Sequence, residues 1–357
     1  SKTWSAALQT KATLKQKLDF ITQGLSIQGS ISFDANFSSG MKRSMSPDKY
    51  SLVSKEDGVL NKKLVSTGSP LSDVGYSSSA GTKKIYIEAQ LNYARTFNKL
   101  HDVTGLLVYN QKETQYQGSN STSGSATVGG LTLLPYRKQS VVARATYAFD
   151  GRYVIEGSFG MTGSENFDKG HRWGIFPSVS AGWRISEEDF WKNSSVSNIF
   201  DNLKVRASYG VLGNQNIGVY PYQQTYSLGQ DYPFGNPAAL QPGAAAGTYN
   251  NPEITWEKTA ITDIGLDFSL FNGRFTGTLD YFYKYTSDIL APVEVSSIMG
   301  RGVGQSNIGA VSNKGIEVNL TYNGQIGRNF RFSISPNFTW VKNAVEKLAN
   351  GATEEIN

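Results

Sequence analysis

Residues able to do acid–base, nucleophilic or metal chemistry are scarce in this chain. It holds two histidines and no cysteine, which excludes disulfides and thiolate metal sites. His101 and His171 fall in different connecting segments, without an adjacent serine or carboxylate pattern. A hydrolase needs a nucleophile within hydrogen-bond reach of a base, and two isolated histidines leave it little room. Gly300-Arg301-Gly302-Val303-Gly304 has the look of a phosphate loop, but the glycine spacing is wrong and no helix follows. Glu187-Glu188-Asp189 reads as the acidic start of a short helix, with Ser186 as its N-cap. Glu354-Glu355 reads as a solvated tail. No catalytic residue, metal site or cofactor is assigned.

The polar residues make sense instead as one face of a sheet. In Gly265–Leu290, Leu266, Phe268 and Leu270 alternate with Asp267 and Ser269. After Asn272-Gly273, Phe275, Leu279, Tyr281, Tyr283 and Tyr285 alternate with Thr276, Thr278, Asp280 and Lys284. A period of two puts each set on its own face of a strand, and Asn-Gly between such runs is a strong hairpin signal. The pattern recurs in twelve segments: 12–22, 25–37, 83–97, 101–116, 138–149, 152–163, 172–185, 203–213, 255–270, 275–289, 307–322 and 328–343.

The connections fall into two alternating sets. Those near Gly24, Asn98, Asp150, Asn272 and Gly324 are short, with a helical piece at 186–202 as the long member. The others, 38–82, 117–137, 164–171, 214–254 and 290–306, are longer and irregular. Short turns at one end and long loops at the other is the layout of an outer-membrane barrel. Closure satisfies the backbone polar groups in lipid, and Trp183, Tyr283, Tyr285 and Trp340 suit interfacial girdles.

Composition agrees. Charged residues are 18% and apolar ones 39%, both low for a globular protein. The net charge of +5 is spread without a basic run, so no nucleic-acid surface is expected. No apolar run reaches the ~18 residues of a membrane helix, and the amino end lacks a signal-peptide core. No repeat of ~40–50 residues marks a propeller. The expected fold class is all-β, a transmembrane antiparallel β-barrel.

Five stretches resemble the SusC/RagA-type TonB-dependent outer-membrane transporters of Bacteroidetes. They are Arg172–Phe190 (RWGIFPSVSAGWRISEEDF), Ser208–Gly218, Asn251–Thr259 (NPEITWEKT), the hairpin above, and Asn307–Tyr322 (NIGAVSNKGIEVNLTY). The resemblance implies a barrel of about 22 strands around a plug, of which this chain carries about twelve. It also implies TonB-ExbB-ExbD energisation through the plug, a SusD-like lipoprotein lid, and oligosaccharide or peptide cargo. No plug, TonB-box-like segment or terminal strand is found, so the chain reads as a piece of a longer protein. Residues 1–357 would then be one wall, with extracellular loops near 38–82, 117–137, 214–254 and 290–306 and a periplasmic connection near 186–202. The alternative is a passive porin or adhesin-type barrel.

Lys15, Lys17, Glu88, Arg144, Lys204, Arg206, Asp267, Asp280, Glu317 and Arg331 are expected to face the lumen or plug. The loop aromatics Tyr220, Tyr222, Tyr226, Tyr232 and Phe234 are expected at the barrel mouth, as contacts to substrate or lid or as loop packing.

Overall fold

A computed structural model describes residues 2–56, 59–77, 81–117, 127–128, 134–218 and 220–348. Most of Gln117–Gly130, and Gly351–Asn357 with Glu354 and Glu355, lie outside the described residues. The wall strands are β1 (Lys2–Lys17), β2 (Leu25–Lys42), β3 (Gly81–Phe97), β4 (His101–Gln117), β5 (Tyr136–Phe149) and β6 (Tyr153–Ser164). They continue as β7 (Trp173–Arg184), β8 (Phe200–Asn214), β9 (Glu257–Leu270), β10 (Phe275–Ala291) and β11 (Ser306–Ile326). The last is broken into β12 (Phe330–Ile334) and β13 (Asn337–Lys347). Each pairs antiparallel with the next, and both final pieces pair with β11.

The twelve expected strands are therefore present, with two differences of position. β1 covers Lys2–Lys17 rather than 12–22, because the chain turns at Leu18–Gly24. The Asp19 carboxylate there accepts from the Gly24 N–H at 2.9 Å, and Gly24 takes a φ of +86°. The final strand is interrupted at Ser335-Pro336, where proline has no N–H for the ladder; its carbonyl still accepts from Leu320 N. The tight turns use left-handed residues, Asn98 and Lys99, Asp150 and Gly151, and Phe271, Asn272 and Gly273, as hairpins with the sheet's twist require.

The long connections carry structure of their own. Lys49–Glu56 pairs with Val59–Ser66, Tyr226–Leu228 pairs with Ala244–Ala246 and Thr127–Val128, and Tyr232–Phe234 pairs with Ala239–Gln241. The connection after β7 holds one short helix, α1 (Asp189–Lys192), between two 3-10 turns. Ser186 is not its N-cap. It lies in the first 3-10 turn, and its hydroxyl donates to Asn202 Oδ1.

Alternation gives the sheet one apolar and one polar face. The apolar face is exposed over a wide area, with Ile155, Ile175, Val179, Ile264 and Phe338 each more than half exposed. Such a continuous surface needs an apolar partner. Its aromatics stand toward both ends of the strands, and at the turn end they form a line. At the turn end, Phe97, His101, Phe149, Tyr153 and Trp183 are successive cross-strand partners over five strands, and neighbouring rings from His101 to Trp183 lie 5.1–6.4 Å apart. From Trp183 the same row continues through Val205, Leu266, Leu279 and Val318 to Phe338. Further aromatics stand in pairs ten residues apart on one strand: Trp173 and Trp183, Phe275 and Tyr285, Phe330 and Trp340. At ~3.3 Å per residue and ~45° of tilt the two members of each pair differ by ~23 Å in height, close to that of a barrel's lipid band.

Candidate functional site

The polar face carries its strongest electrostatic feature on β8–β10. Lys204, Arg206 and Ser208 share a face of β8, opposite Asp267, Gly265 and Asp263 of β9. Gly265 in turn faces Asp280 of β10. Having no side chain, Gly265 leaves a gap through which the Arg206 guanidinium lies. Nη1 donates to Asp263 Oδ1 at 3.0 Å, Nε to Asp267 Oδ1 at 3.2 Å, and Nη2 to Asp280 Oδ1. Lys204 Nζ stands 3.7 Å from Asp267 Oδ2. One arginine and one lysine thus answer three carboxylates, leaving one negative charge, and Glu317 adds another beside Asp280 in the same row.

This hub brings together four of the expected lumen-facing residues, Lys204, Arg206, Asp267 and Asp280. Glu317 is the cross-strand partner of Asp280 at the edge of the hub, and the others stand apart on the same face. Arg144 pairs with Glu156 at 3.7 Å on β6, and Arg331 sits near the final turn opposite Gln325. Lys15 and Glu88 lie on β1 and β3, each in register with the polar side of β2. Asp263 was missed by sequence reasoning. The signal was available, because Asp263, Gly265 and Asp267 occupy alternate positions on one strand face.

At the loop end, the long connections rest on a small buried core of Phe167, Ile254 and Trp256, with Phe176, Ile217 and Leu290 packed against it. Trp256 Nε1 donates to the Arg172 carbonyl at 3.0 Å. Asn307 clamps the segment before β9: its Oδ1 accepts from Thr255 N, and its Nδ2 donates to the carbonyls of Thr255 and Asp288. Three of the stretches that carry the family resemblance, around Arg172, Trp256 and Asn307, meet here.

The loop aromatics divide. Tyr220 is buried at a φ of +50°, and its hydroxyl donates to the Pro135 carbonyl and to Glu165. Burial, with the Glu165 carboxylate beside it, pushes its phenol up to about 12. Tyr222 packs edge-on against it at 6.1 Å. Tyr226, Tyr232 and Phe234 are exposed by 51%, 66% and 67%. Of the five, these three are the exposed ones, and Tyr222 is half-buried.

At the turn end Glu188 is the clamp. Its Oε1 accepts from Tyr153 OH at 2.5 Å and Trp183 Nε1 at 3.0 Å, and its Oε2 from Arg152 at 3.4 Å. Those two hydrogen bonds, helped by the Arg152 charge, hold its carboxyl below the usual carboxylate range. His101 Nδ1 contacts Tyr147 OH at 2.8 Å, and His171 Nε2 stands 3.6 Å from Glu253. Among the described residues no group of three His, Asp or Glu is placed to hold a metal ion. The Gly300–Gly304 stretch bridges to Tyr249 by backbone hydrogen bonds, and the Arg301 guanidinium lies 3.7 Å from the Tyr249 ring centroid.

A sheet polar on one face and banded with apolar residues on the other is a barrel wall, and residues 3–356 match the family described as TonB dependent receptor-like, beta-barrel. The chain belongs to that family. Its place is the outer membrane, and TonB-dependent receptors are transporters rather than enzymes. The chain is 34% identical over 219 residues to the TonB-dependent receptor SusC of Bacteroides thetaiotaomicron, covering 59% of this chain and 21% of SusC. It is 32% identical over 275 residues to TonB-dependent receptor P39 of Formosa agariphila, covering 72% of this chain and 26% of that one. The fold matches the solved structure of the RagAB peptide transporter with a TM-score of 0.71 at 21% identity, over 98% of this chain and 37% of that one. The chain spans about a quarter of the length of the curated relatives it matches.

Proposed function

We propose that the full-length protein imports a nutrient across the outer membrane as a SusC-like transporter, energised by TonB-ExbB-ExbD through a plug inside the barrel. A SusD-like surface lipoprotein is its partner, and its cargo is an oligosaccharide or a peptide. The observation that carries this reading is the 34% identity to SusC over 219 residues. In this reading the apolar face meets outer-membrane lipid, and the polar face is the lumen wall. The loops near 38–82, 117–137, 214–254 and 290–306 face outside, and the connection near 186–202 faces the periplasm. The Arg206 hub, with Arg144, Glu317 and Arg331, lies where a plug would seat, and the exposed Tyr226, Tyr232 and Phe234 lie at the mouth, as sugar- or peptide-stacking surfaces.

Deleting the gene in the native host and following uptake of labelled oligosaccharides and of peptides tests this reading. Loss of uptake of one class, reproduced by removing TonB or by collapsing the proton gradient, is expected. A lipoprotein of equal abundance should co-purify with the barrel. Uptake that persists without TonB would sink the energised importer in favour of a passive porin.

A further inference from the structure

The polar face sorts its charges by height. On β8–β11 the acids of the hub, Asp263, Asp267, Asp280 and Glu317, stand in three successive cross-strand rows. The next row toward the turns, Asn202, Ser269, Thr276 and Thr321, is uncharged. Beyond it stand two arginines. Arg274 precedes β10, and its carbonyl accepts from Asn323 N–H at 2.7 Å; Asn323 faces Ser333, and Gln325 faces Arg331. Residues 268–279 and 318–345 hold no aspartate or glutamate, so this corner of the sheet is positive without an acid on its own strands.

Other arginines of the wall are answered. Arg137 lies 2.8 Å from Glu113, Arg152 lies 2.9 Å from Asp150, and Arg206 holds three aspartates. Arg274 and Arg331 have no carboxylate partner among the described residues. Asp201, in the connection beside them, is already taken: its carboxylate accepts from Ser269 Oγ at 2.6 Å and from Asn272 N–H at 3.2 Å. Both arginines are exposed, and they line one recess of about 420 Å³ with Asn323, Gln325 and Ser333. Asn323 Nδ2 and Gln325 Nε2 donate to the carbonyls of Gly273 and Gly327 at 3.4 and 3.0 Å, which ties the floor of the recess to the two turns. The arginines are two strand spacings apart across the sheet, ~10 Å. Two guanidiniums so placed raise a positive potential over the recess, and each offers a fork of donors that matches a carboxylate. The recess belongs to the polar face, away from the face that meets lipid, so its ligand is a protein-borne or soluble anion rather than a headgroup.

We infer that Arg274 and Arg331 form a carboxylate site at the turn end of the polar face, the carboxylate lying between the two guanidiniums. Its source is either an aspartate or glutamate from a segment of the same protein seated on this face, or the terminal carboxylate of a peptide passing along it. Naming that segment the plug rests on the transporter reading above; the site itself does not.

The test uses the full-length protein in mild detergent. Arg331→Lys keeps the charge and places a primary amine in the recess, where a water-soluble carbodiimide joins it to a carboxylate in contact. Peptide mapping by mass spectrometry reads the partner. A crosslink from position 331 to an aspartate or glutamate outside residues 1–357 is the result expected for a resident source. A crosslink to added N-acetylated alanine tripeptide, with no link to the protein itself, is the result expected for a passing one. Either should weaken severalfold in the Arg274→Gln background and as salt is raised, because exposed charge pairs are screened. Arg328→Lys, in the turn between β11 and β12 but outside the recess, should give no such link. If Arg331→Lys does not fold by heat-modifiability on gels, Arg274→Lys supplies the same reading, with Arg331→Gln as its background. No crosslink from either source, linkage only to an acid within residues 1–357, equal linkage from position 328, or links unchanged by Arg274→Gln would overturn the site. The transporter reading is judged separately by uptake without TonB, and that outcome does not alter the crosslink map.

Discussion

The guanidinium of Arg206 lies across Gly265, its direct partner on the neighbouring strand, and reaches Asp280 on the strand beyond. A methyl group built on Gly265 would collide with both Arg206 Cζ and Asp280 Oδ1. Gly265→Ala should therefore split the hub, at about 1–2 kcal/mol for part-exposed, charge-assisted hydrogen bonds. Arg206→Ala should cost about 2 kcal/mol, because it leaves three aspartates facing one another. In the Arg206→Ala background, Gly265→Ala should cost much less. Thermal unfolding of the four proteins in detergent checks this, and additive losses would show that the glycine's role lies elsewhere.

Glu188 ties the turn after β7 to the aromatic line through Tyr153 and Trp183. Its folded-state pKa is depressed below the reference value of 4.5. The stability it contributes is thus complete above that value and is lost as pH falls through its lower folded-state pKa. Glu188→Gln should remove part of the acid sensitivity below about pH 4.5 and leave the neutral-to-alkaline profile parallel to wild type. Acid titrations of Trp fluorescence for both proteins measure the difference, and identical acid limbs would rule the clamp out.

Period two made the wall legible from sequence because each strand must serve two solvents, and a one-residue slip would exchange them. That is why Leu266, Phe268 and Asp267 declare their faces so clearly. The constraint weakens where a strand is broken or a segment leaves the sheet. Pro336 interrupts the final strand without disturbing the alternation on either side, so alternation alone reads through it. Ser186 satisfies the local rule for an N-cap, yet Asn202, sixteen residues away, takes its hydroxyl. The hub was half legible. Charges on one face can be read from parity, but which aspartates meet Arg206 depends on registers set by turns at Ile199 and Phe271. Tyr220 gave no sign of burial, since its socket is formed by Pro135 and Glu165, 85 and 55 residues away.

The buried loop-end core should behave as one unit. Trp256 packs its ring against Phe167 and Phe176 at 5.1 and 5.3 Å while donating to the Arg172 carbonyl. Trp256→Ala removes the ring and that donor, a loss of about 3–5 kcal/mol for a packed aromatic. Trp256→Phe keeps most of the volume and should cost about 1–2 kcal/mol, chiefly for the missing donor. Folded yield and unfolding temperature should rank wild type, Phe and Ala in that order. Equal values for Phe and Ala would mean that the hydrogen bond, not the packing, holds the core.

The loop aromatics separate packing from recognition, because Tyr220 is buried and Tyr232 and Phe234 are exposed on one short hairpin, their rings 5.7 Å apart and edge-on. Tyr220→Phe loses the bonds to Pro135 and Glu165, about 1 kcal/mol, and should raise the rate of proteolytic cleavage within 214–254 severalfold. Tyr232→Ala and Phe234→Ala remove little buried surface and should leave unfolding within about 0.5 kcal/mol of wild type. If those rings stack on cargo, the same two substitutions should weaken its binding about tenfold, at ~1–3 kcal/mol per stacked ring if sugar or peptide groups stack as bases do. Binding of the identified cargo to each variant, read beside proteolysis of the same preparations, distinguishes the roles. Unchanged binding in the Tyr232 and Phe234 variants would assign that hairpin to the lid or to the loop itself.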